Sequence, residues 1–251
     1  MLENLINFLV HPDLIDDKEL LPIPAKQDIP NWYKKLENYS PNSSNIKGCI
    51  PVRDSITSGY LLKLPVSIHI KFNWFNSETK QKDVIIKFGR IIEGIDIKKL
   101  VEYNINTDPS SHHINQLGED SPHIKRNQSF PIMKIHNPFI IKTPPGYSCL
   151  FVPPQHRSRD YFEILPAIVD TDSYNTQINF PIVFCGEKKE QFETVIEKGT
   201  PYVQVIPFKR DNWKMKINEI NMNQFRKDSF KYVSNLINIY LKKHWFKKTW
   251  K

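Results

Sequence analysis

From Asn137 to Pro154 the chain reads Asn-Pro-Phe-Ile-Ile-Lys-Thr-Pro-Pro-Gly-Tyr-Ser-Cys-Leu-Phe-Val-Pro-Pro, and the same rhythm returns from Ala167 to Lys209. Short runs of Ile, Val, Phe and Tyr are cut repeatedly by Pro, Gly and Asn. Proline fixes φ and removes a backbone donor, and glycine admits positive φ, so such runs cannot extend into long helices. They read as strands joined by tight turns. Gly59 to Trp74 adds a strand with Val66, Ile68, Ile70 and Phe72 on one face and Ser67, His69 and Lys71 on the other. Asp83–Phe88 is its expected hairpin partner across the polar residues 76–82. Ile178–Phe184, a charged hairpin turn over Gly186–Gln191, Thr194–Ile196 and Tyr202–Ile206 continue the series. With no helix-period crossover between them, the expectation is a mainly β fold: a single β-sandwich or β-roll domain, of jelly-roll-like kind.

The two ends depart from this pattern. Leu2, Ile6 and Leu9 share one stripe, which predicts a short helix over residues 1–10. Asp28 is placed to cap a turn of helix reaching Leu36, with Trp32 and Tyr33 as its anchors. From Asn221 onward, Phe225, Val233, Leu236, Ile237, Tyr240, Leu241 and His244 recur near 3.6-residue spacing, an amphipathic helix whose start Asn221 and Gln224 are expected to cap. The predicted organisation is an irregular N-terminal arm with short helices over 1–48, a β domain over 49–215 and a basic C-terminal helix over 216–251. The polar stretch 93–120 has no regular pattern.

Charge is concentrated at one end. The chain carries +8 overall, yet residues 208–251 hold twelve Lys or Arg against three Asp or Glu, a balance of +9, and the remaining 23 basic and 24 acidic residues give −1. An electrostatic partner is therefore expected at the C-terminus: an acidic protein, a nucleic acid or an anionic surface. His244-Trp-Phe-Lys-Lys-Thr-Trp-Lys251 mixes cations with aromatics, so Lys242, Lys243, Trp245, Lys247, Lys248 and Trp250 are the candidate binding residues. The alternative for Trp245 and Trp250 is docking onto the β core. Cys49, Cys149 and Cys185 are odd in number and far apart, which predicts free thiols rather than a disulfide framework or zinc knuckle. No apolar run is long enough for a transmembrane segment, and the N-terminus lacks signal-peptide features, so a soluble intracellular protein is expected.

Two groups of residues invite a chemical reading. Asp170 and Asp172, two apart in an extended segment, share a face and can position a water or a cation; the competing reading is an Asx-turn within Asp-Thr-Asp-Ser-Tyr-Asn. His112, His113, His123, His136 and His156 lie close together with Asp108, Glu119 and Asp120, a supply of ligands for a cupin-like, iron- or zinc-dependent oxygenase. No His-x-His or His-x-Asp step accompanies them. His112, His113 and His123 are the metal candidates, against a default expectation of no metal.

Several of these stretches resemble trimeric dUTPases and dCTP deaminases. Thr57-Ser-Gly-Tyr-Leu61 is similar to that family's opening motif, Pro144-Pro-Gly-Tyr to its hairpin, Ile168-Val-Asp-Thr-Asp-Ser-Tyr174 to its Ile-Asp-x-x-Tyr motif and Glu197-Lys-Gly-Thr-Pro-Tyr-Val-Gln204 to its Gly-x-x-x-x-Gln turn. The resemblance is densest over residues 140–210 and implies a dUTPase-like β fold. It also implies a nucleotide enzyme using magnesium, with Asp170, Asp172, Arg157 and Ser158 as catalytic candidates. Against the activity, Leu61 stands where that family has a metal-binding Asp, and an aliphatic side chain supplies no oxygen ligand. Arg157-Ser158 is displaced from the phosphate motif, and no glycine-rich phosphate arm follows. The chain also resembles a family of phage and bacterial proteins, through Cys49, Pro51, Asp54, Gly59 and Tyr60, Asn137 to Ser148, Val169 to Asn175 and Pro207 to Trp213, a likeness that brings no activity with it.

The functional expectation is a noncatalytic, phage-encoded binding or assembly protein whose basic C-terminal helix engages an acidic partner, in the host cytoplasm or the virion, with self-association open. The dUTPase-like and cupin-like readings are the alternatives, and magnesium or iron enters only under them.

Overall fold

The computed structural model describes residues 4–38, 45–73, 83–88, 110–112, 117–118, 120–123, 132–158, 161–184, 191–234 and 240–251. The fold is mainly β. Fourteen strands are described: β1 (Asn7–Leu9), β2 (Ile23–Pro24), β3 (Tyr60–Lys63), β4 (Ile68–Asn73), β5 (Asp83–Phe88), β6 (Ser110–His112), β7 (Ile132–Ile135), β8 (Ile140–Lys142), β9 (Tyr147–Val152), β10 (Phe162–Ile164), β11 (Ala167–Val169), β12 (Phe180–Phe184), β13 (Gln191–Ile196) and β14 (Pro201–Lys209). Three helices accompany them, α1 (Asn31–Lys35), α2 (Ile50–Thr57) and α3 (Met222–Ser234).

The strands form four antiparallel sheets, in the orders β11-β9-β14-β3-β2, β10-β12-β7-β6, β13-β4-β5 and β1-β8. Long β14 is central to the first: its Gln204 to Lys209 run against Val152 to Tyr147 of β9, while its other edge takes β3. Their inward side chains make a main core, and Ile132 and Val183 form a smaller cluster with Leu117 and Leu165. Leu62, Leu64, Ile68, Phe139, Ile141, Phe151, Ile164, Phe180, Ile182, Val203 and Val205 are all fully buried within the main core, and the Phe180 ring packs against Phe151 and Tyr202. Burying a large apolar side chain of this kind contributes about 1.5–3 kcal/mol relative to leaving it in water.

The chain divides into two compact units, each discontinuous in sequence. One comprises residues 1–23 and 59–209, the other 24–58 and 210–251. The first holds nearly all the strands. In the second, the last residues of the chain group with a segment near its start. Among the described residues no helix is long and apolar enough to cross a membrane.

Several local expectations hold. The β4–β5 hairpin pairs Ile68 with Phe88 through Asn73 with Asp83, and Val66, Ile68 and Ile70 are buried as the alternation requires. At the start of α3, the backbone N–H groups of Asn223 and Gln224 donate to the Asn221 side chain at 3.1 and 3.2 Å. The Gln224 amide does not reach back to close a capping box; it donates to Asp228 at 2.7 Å. Side chains 231–234 and all of residues 235–239 lie outside the description, so the stripe through Val233, Leu236 and Ile237 does too.

Other expectations are corrected. Residues 7–9 form a strand and not a helix, because pairing with β8 satisfies their backbone while Phe8 packs edge-on against Tyr60 and Phe139. Asp28 does not cap α1. That position belongs to Pro30, and of the two anchors only Tyr33 is buried while Trp32 stays exposed. Residues 50–57, read as the start of the strands, are helical, with Pro51 in the first turn where its missing N–H costs nothing. The run 59–74 breaks between β3 and β4, which enter different sheets. The charged turn expected over Gly186–Gln191 lies, but for Gln191, outside the described residues; of the strands on either side, β12 pairs with β10 and β7, and β13 pairs with β4.

Gly59 is the sharp corner leading into β3. Its φ is +70°, and a Cβ there would stand 2.0 Å from the Val205 carbonyl oxygen, so only glycine lets the chain pass this close to β14.

Candidate functional site

The two carboxylates at 170 and 172 sit in the turn that follows β11, beside the turn preceding β9. Asp170 accepts a hydrogen bond from the Ser148 hydroxyl at 2.6 Å, and its carbonyl accepts the N–H groups of Ser173 and Tyr174. Asp172 accepts the Gly146 N–H at 2.9 Å. Between them the side chain of Thr171, fully buried, meets the Thr143 hydroxyl at 2.7 Å and donates to the Cys149 sulfur at 3.3 Å. Burial pushes the Cys149 thiol up to about 11, the Thr171 hydrogen bond opposing it. Lys142 closes the group by donating to the carbonyls of Asp172 and Tyr174 and to the Asn175 side chain. The two carboxylates thus take separate donors, and each ties the 170–175 turn to the 143–148 segment.

Arg157 and Ser158 lie elsewhere in the same unit, on the loop after β9. They line a cavity of about 300 Å³ with Tyr161, Phe162, Glu163 and Tyr202. The loop is held by Gln204, whose side-chain oxygen accepts the Gln155 N–H at 2.9 Å, and by the Gln155 amide donating to the Pro153 carbonyl. His156 takes a positive φ of 57°. The Tyr202 hydroxyl is buried without a hydrogen-bond partner among the described residues, and burial raises its pKa. Arg157 and Ser158 thus line this cavity, while Asp170 and Asp172 bond to Ser148 and Gly146.

Of the histidines, His112 belongs to β6 and pairs with Ile132, while His113, Asp108 and Glu119 fall outside the described residues. His123 and His136 are present, each with one buried ring nitrogen that has no hydrogen-bond partner among the described residues. Burial lowers the His136 pKa, a hydrogen bond between its ring and Asn179 opposing that shift and nearby Lys134 adding to it. Among the described residues, no three His, Cys, Asp or Glu side chains come together in a way that could hold a metal ion.

The C-terminal candidates belong to the second unit. Trp245 donates its indole N–H to Asp54 at 2.8 Å, and Lys248 pairs with the same carboxylate oxygen at 2.6 Å. The Arg53 guanidinium lies 5.4 Å from the Trp245 ring centroid, within cation–π range. Trp245 is thus anchored to α2. Tyr33, in the same unit, is buried; its pKa is raised by desolvation, which the positive charge of Arg53 partly offsets. Lys242, Lys243 and Lys247 project as exposed cations, and Trp250 is half-buried. Sequence reasoning placed Asp54 in a motif without giving it a role. No local spacing could have found its pairing with Trp245, which lies 191 residues on.

Neither a protein-family model nor a curated protein matches the chain. Solved structures with partial likeness include a point mutant of the dUTPase of Staphylococcus bacteriophage 80alpha with dUpNHpp, at 17% identity and a TM-score of 0.25, covering 36% of this chain and 66% of that one. A point mutant of the dUTPase from phage phi11 of S. aureus shows 15% identity and a TM-score of 0.26, covering 37% of this chain and 76% of that one. The chain thus spans a little under two thirds of the first of these. At such scores the likeness carries no argument about activity, and what stands is a mainly β protein with a cation-bearing C-terminal segment held to its own helix α2.

Proposed function

We propose that this is a noncatalytic binding or assembly protein that engages an acidic partner through its C-terminal segment. The observation that carries the reading is the division of labour around Asp54. Trp245 and Lys248 are tied to that carboxylate, which leaves Lys242, Lys243 and Lys247 on an anchored support, exposed to solvent. Cations held in place lose less freedom on binding than cations on a free tail, so more of their attraction reaches the partner. The catalytic alternative finds little support. Asp170 and Asp172 are engaged by Ser148 and Gly146, and Leu61, in the position where a metal ligand is needed, is a buried core residue.

The test is charge reversal. Lys242→Glu, Lys243→Glu and Lys247→Glu together are expected to weaken binding to poly-glutamate, duplex DNA or anionic vesicles, whichever the native chain takes up, by at least about tenfold, or about 1.4 kcal/mol. Binding by the native chain should fall as salt rises, since exposed charges are screened over about 8 Å at physiological ionic strength. A variant that binds all three as the native chain does removes the reading. Incubation with magnesium and dUTP or dCTP is expected to release neither pyrophosphate nor ammonia, and turnover lost in Asp170→Asn would favour the enzyme instead.

A further inference from the structure

Between the end of β14 and α3, residues 210–221 form neither strand nor helix, and every one of them is exposed. Within this segment Trp213, Met215 and Ile217 recur at every second position, 89%, 91% and 86% exposed, with Lys214 and Lys216 between them. Period-two alternation is the pattern of a strand with one apolar face. Here it belongs to a segment that pairs with no strand among the described residues and leaves these apolar side chains in solvent. Ile220, Met222 and Phe225 continue the exposed apolar series into α3, at 62%, 50% and 49%.

We infer that residues 210–221, followed by the exposed apolar start of α3, form an exchange arm, which pairs along the outer edge of β11 in a second copy of this chain. Three observations favour another copy over a different partner. First, the chain itself supplies the matching edge. Strand β11 ends its sheet, paired with β9 on one side, and Ile168 stands 63% exposed there, an apolar side chain on an open strand edge. Such an edge is a template for strand addition, with backbone hydrogen bonds giving affinity and alternate side chains giving register.

Second, the charges match. Lys214 and Lys216 alternate with the arm's apolar residues, and β11 runs directly into Asp170 and Asp172. Third, the area is sufficient. A large aromatic buries about 150–250 Å², so Trp213, Met215, Ile217, Ile220, Met222 and Phe225 together offer on the order of 800 Å² per copy, the share a standard interface takes from each partner. Each copy carries one arm and one edge, so the contact closes as a reciprocal dimer or a ring.

Gel filtration with light scattering on the full chain is expected to give at least twice the 29.6 kDa of one copy. The triple variant Trp213→Ser, Met215→Ser, Ile217→Ser should return to 29.6 kDa with an unchanged far-ultraviolet dichroism spectrum, since none of the three is packed. Ile168→Lys, on the receiving edge, should do the same. A photoreactive benzoylphenylalanine at position 215, in a mixture of natural-abundance and nitrogen-15-labelled protein, is expected to give hybrid crosslinked peptides joining 210–221 of one copy to 165–172 of another. A full chain that stays at the mass of one copy at every concentration tested overturns the inference. So does a triple variant that still associates, and so do crosslinks confined to one copy or falling away from β11.

Discussion

Strand β14 and the segment that follows it have similar sequences and opposite fates. In Tyr202-Val-Gln-Val-Ile206 the residues from Tyr202 to Val205 are buried, and the strand is hydrogen-bonded on both edges. In Trp213-Lys-Met-Lys-Ile217 the alternation is at least as regular, yet its apolar side chains stand in solvent. Alternation thus specifies an extended backbone with one apolar face and does not specify that a neighbour exists. In β14 the neighbours β3 and β9 come from the same chain. For residues 213–217, the proposed neighbour comes from another.

Substitutions that separate the two regions should differ widely in effect. The largest loss is expected at the corner packed against β14: Gly59→Ala forces a side chain at φ +70° into the Val205 carbonyl, which should cost about 4 kcal/mol or more and appear as failure to fold or a much lower denaturant midpoint. Phe151→Ala, opposite β14 in the core and fully buried, should cost about 3–5 kcal/mol by urea unfolding. Trp213→Ser should leave the unfolding free energy of the single copy within about 0.5 kcal/mol, because nothing in that copy covers the ring. A loss at Trp213 as large as that at Phe151, measured where only single copies are present, would erase the contrast.

Smaller effects are expected within the second unit. Asp54→Ala removes the acceptor shared by Trp245 and Lys248 and should cost about 1 kcal/mol, read as faster hydrogen exchange at residues 240–248 with the β strands unchanged. Unchanged exchange there would mean that the anchor does not hold the tail.

The smallest effect tests the core through its pH response. The Cys149 thiol is raised from an ordinary 9.0 to about 11, so in the unfolded chain it loses its proton first. The stability it contributes is complete below about pH 9 and is lost as pH rises toward 11. Cys149→Ala should flatten that alkaline decline, and in the native chain exposed Cys49 should react with a thiol reagent well before buried Cys149. Equal rates would place Cys149 outside the core.

Elements whose causes are local can be read from the residues alone. Alternation placed β4, β5, β9, β12 and β14, the Asn221 side chain fixed where α3 begins, and charge counting located the cations at the C-terminus. A turn over Asp-Thr-Asp-Ser-Tyr-Asn was equally legible, but it is closed by the Asp170 backbone carbonyl, while the Asp170 and Asp172 carboxylates bond to Ser148 and Gly146. Tertiary structure decided whatever depended on which neighbour was present. Residues 7–9 became a strand because β8 offered an edge. Residues 59–74 split because two sheets claimed their halves, and Asp172 found Gly146 across 26 residues. Asp54 acquired Trp245 as its partner, so the tail rests on a helix that local spacing does not connect to it. Pairing energies of this kind arise between residues distant in sequence, whereas a sequence pattern records only what each segment needs to bury or bond.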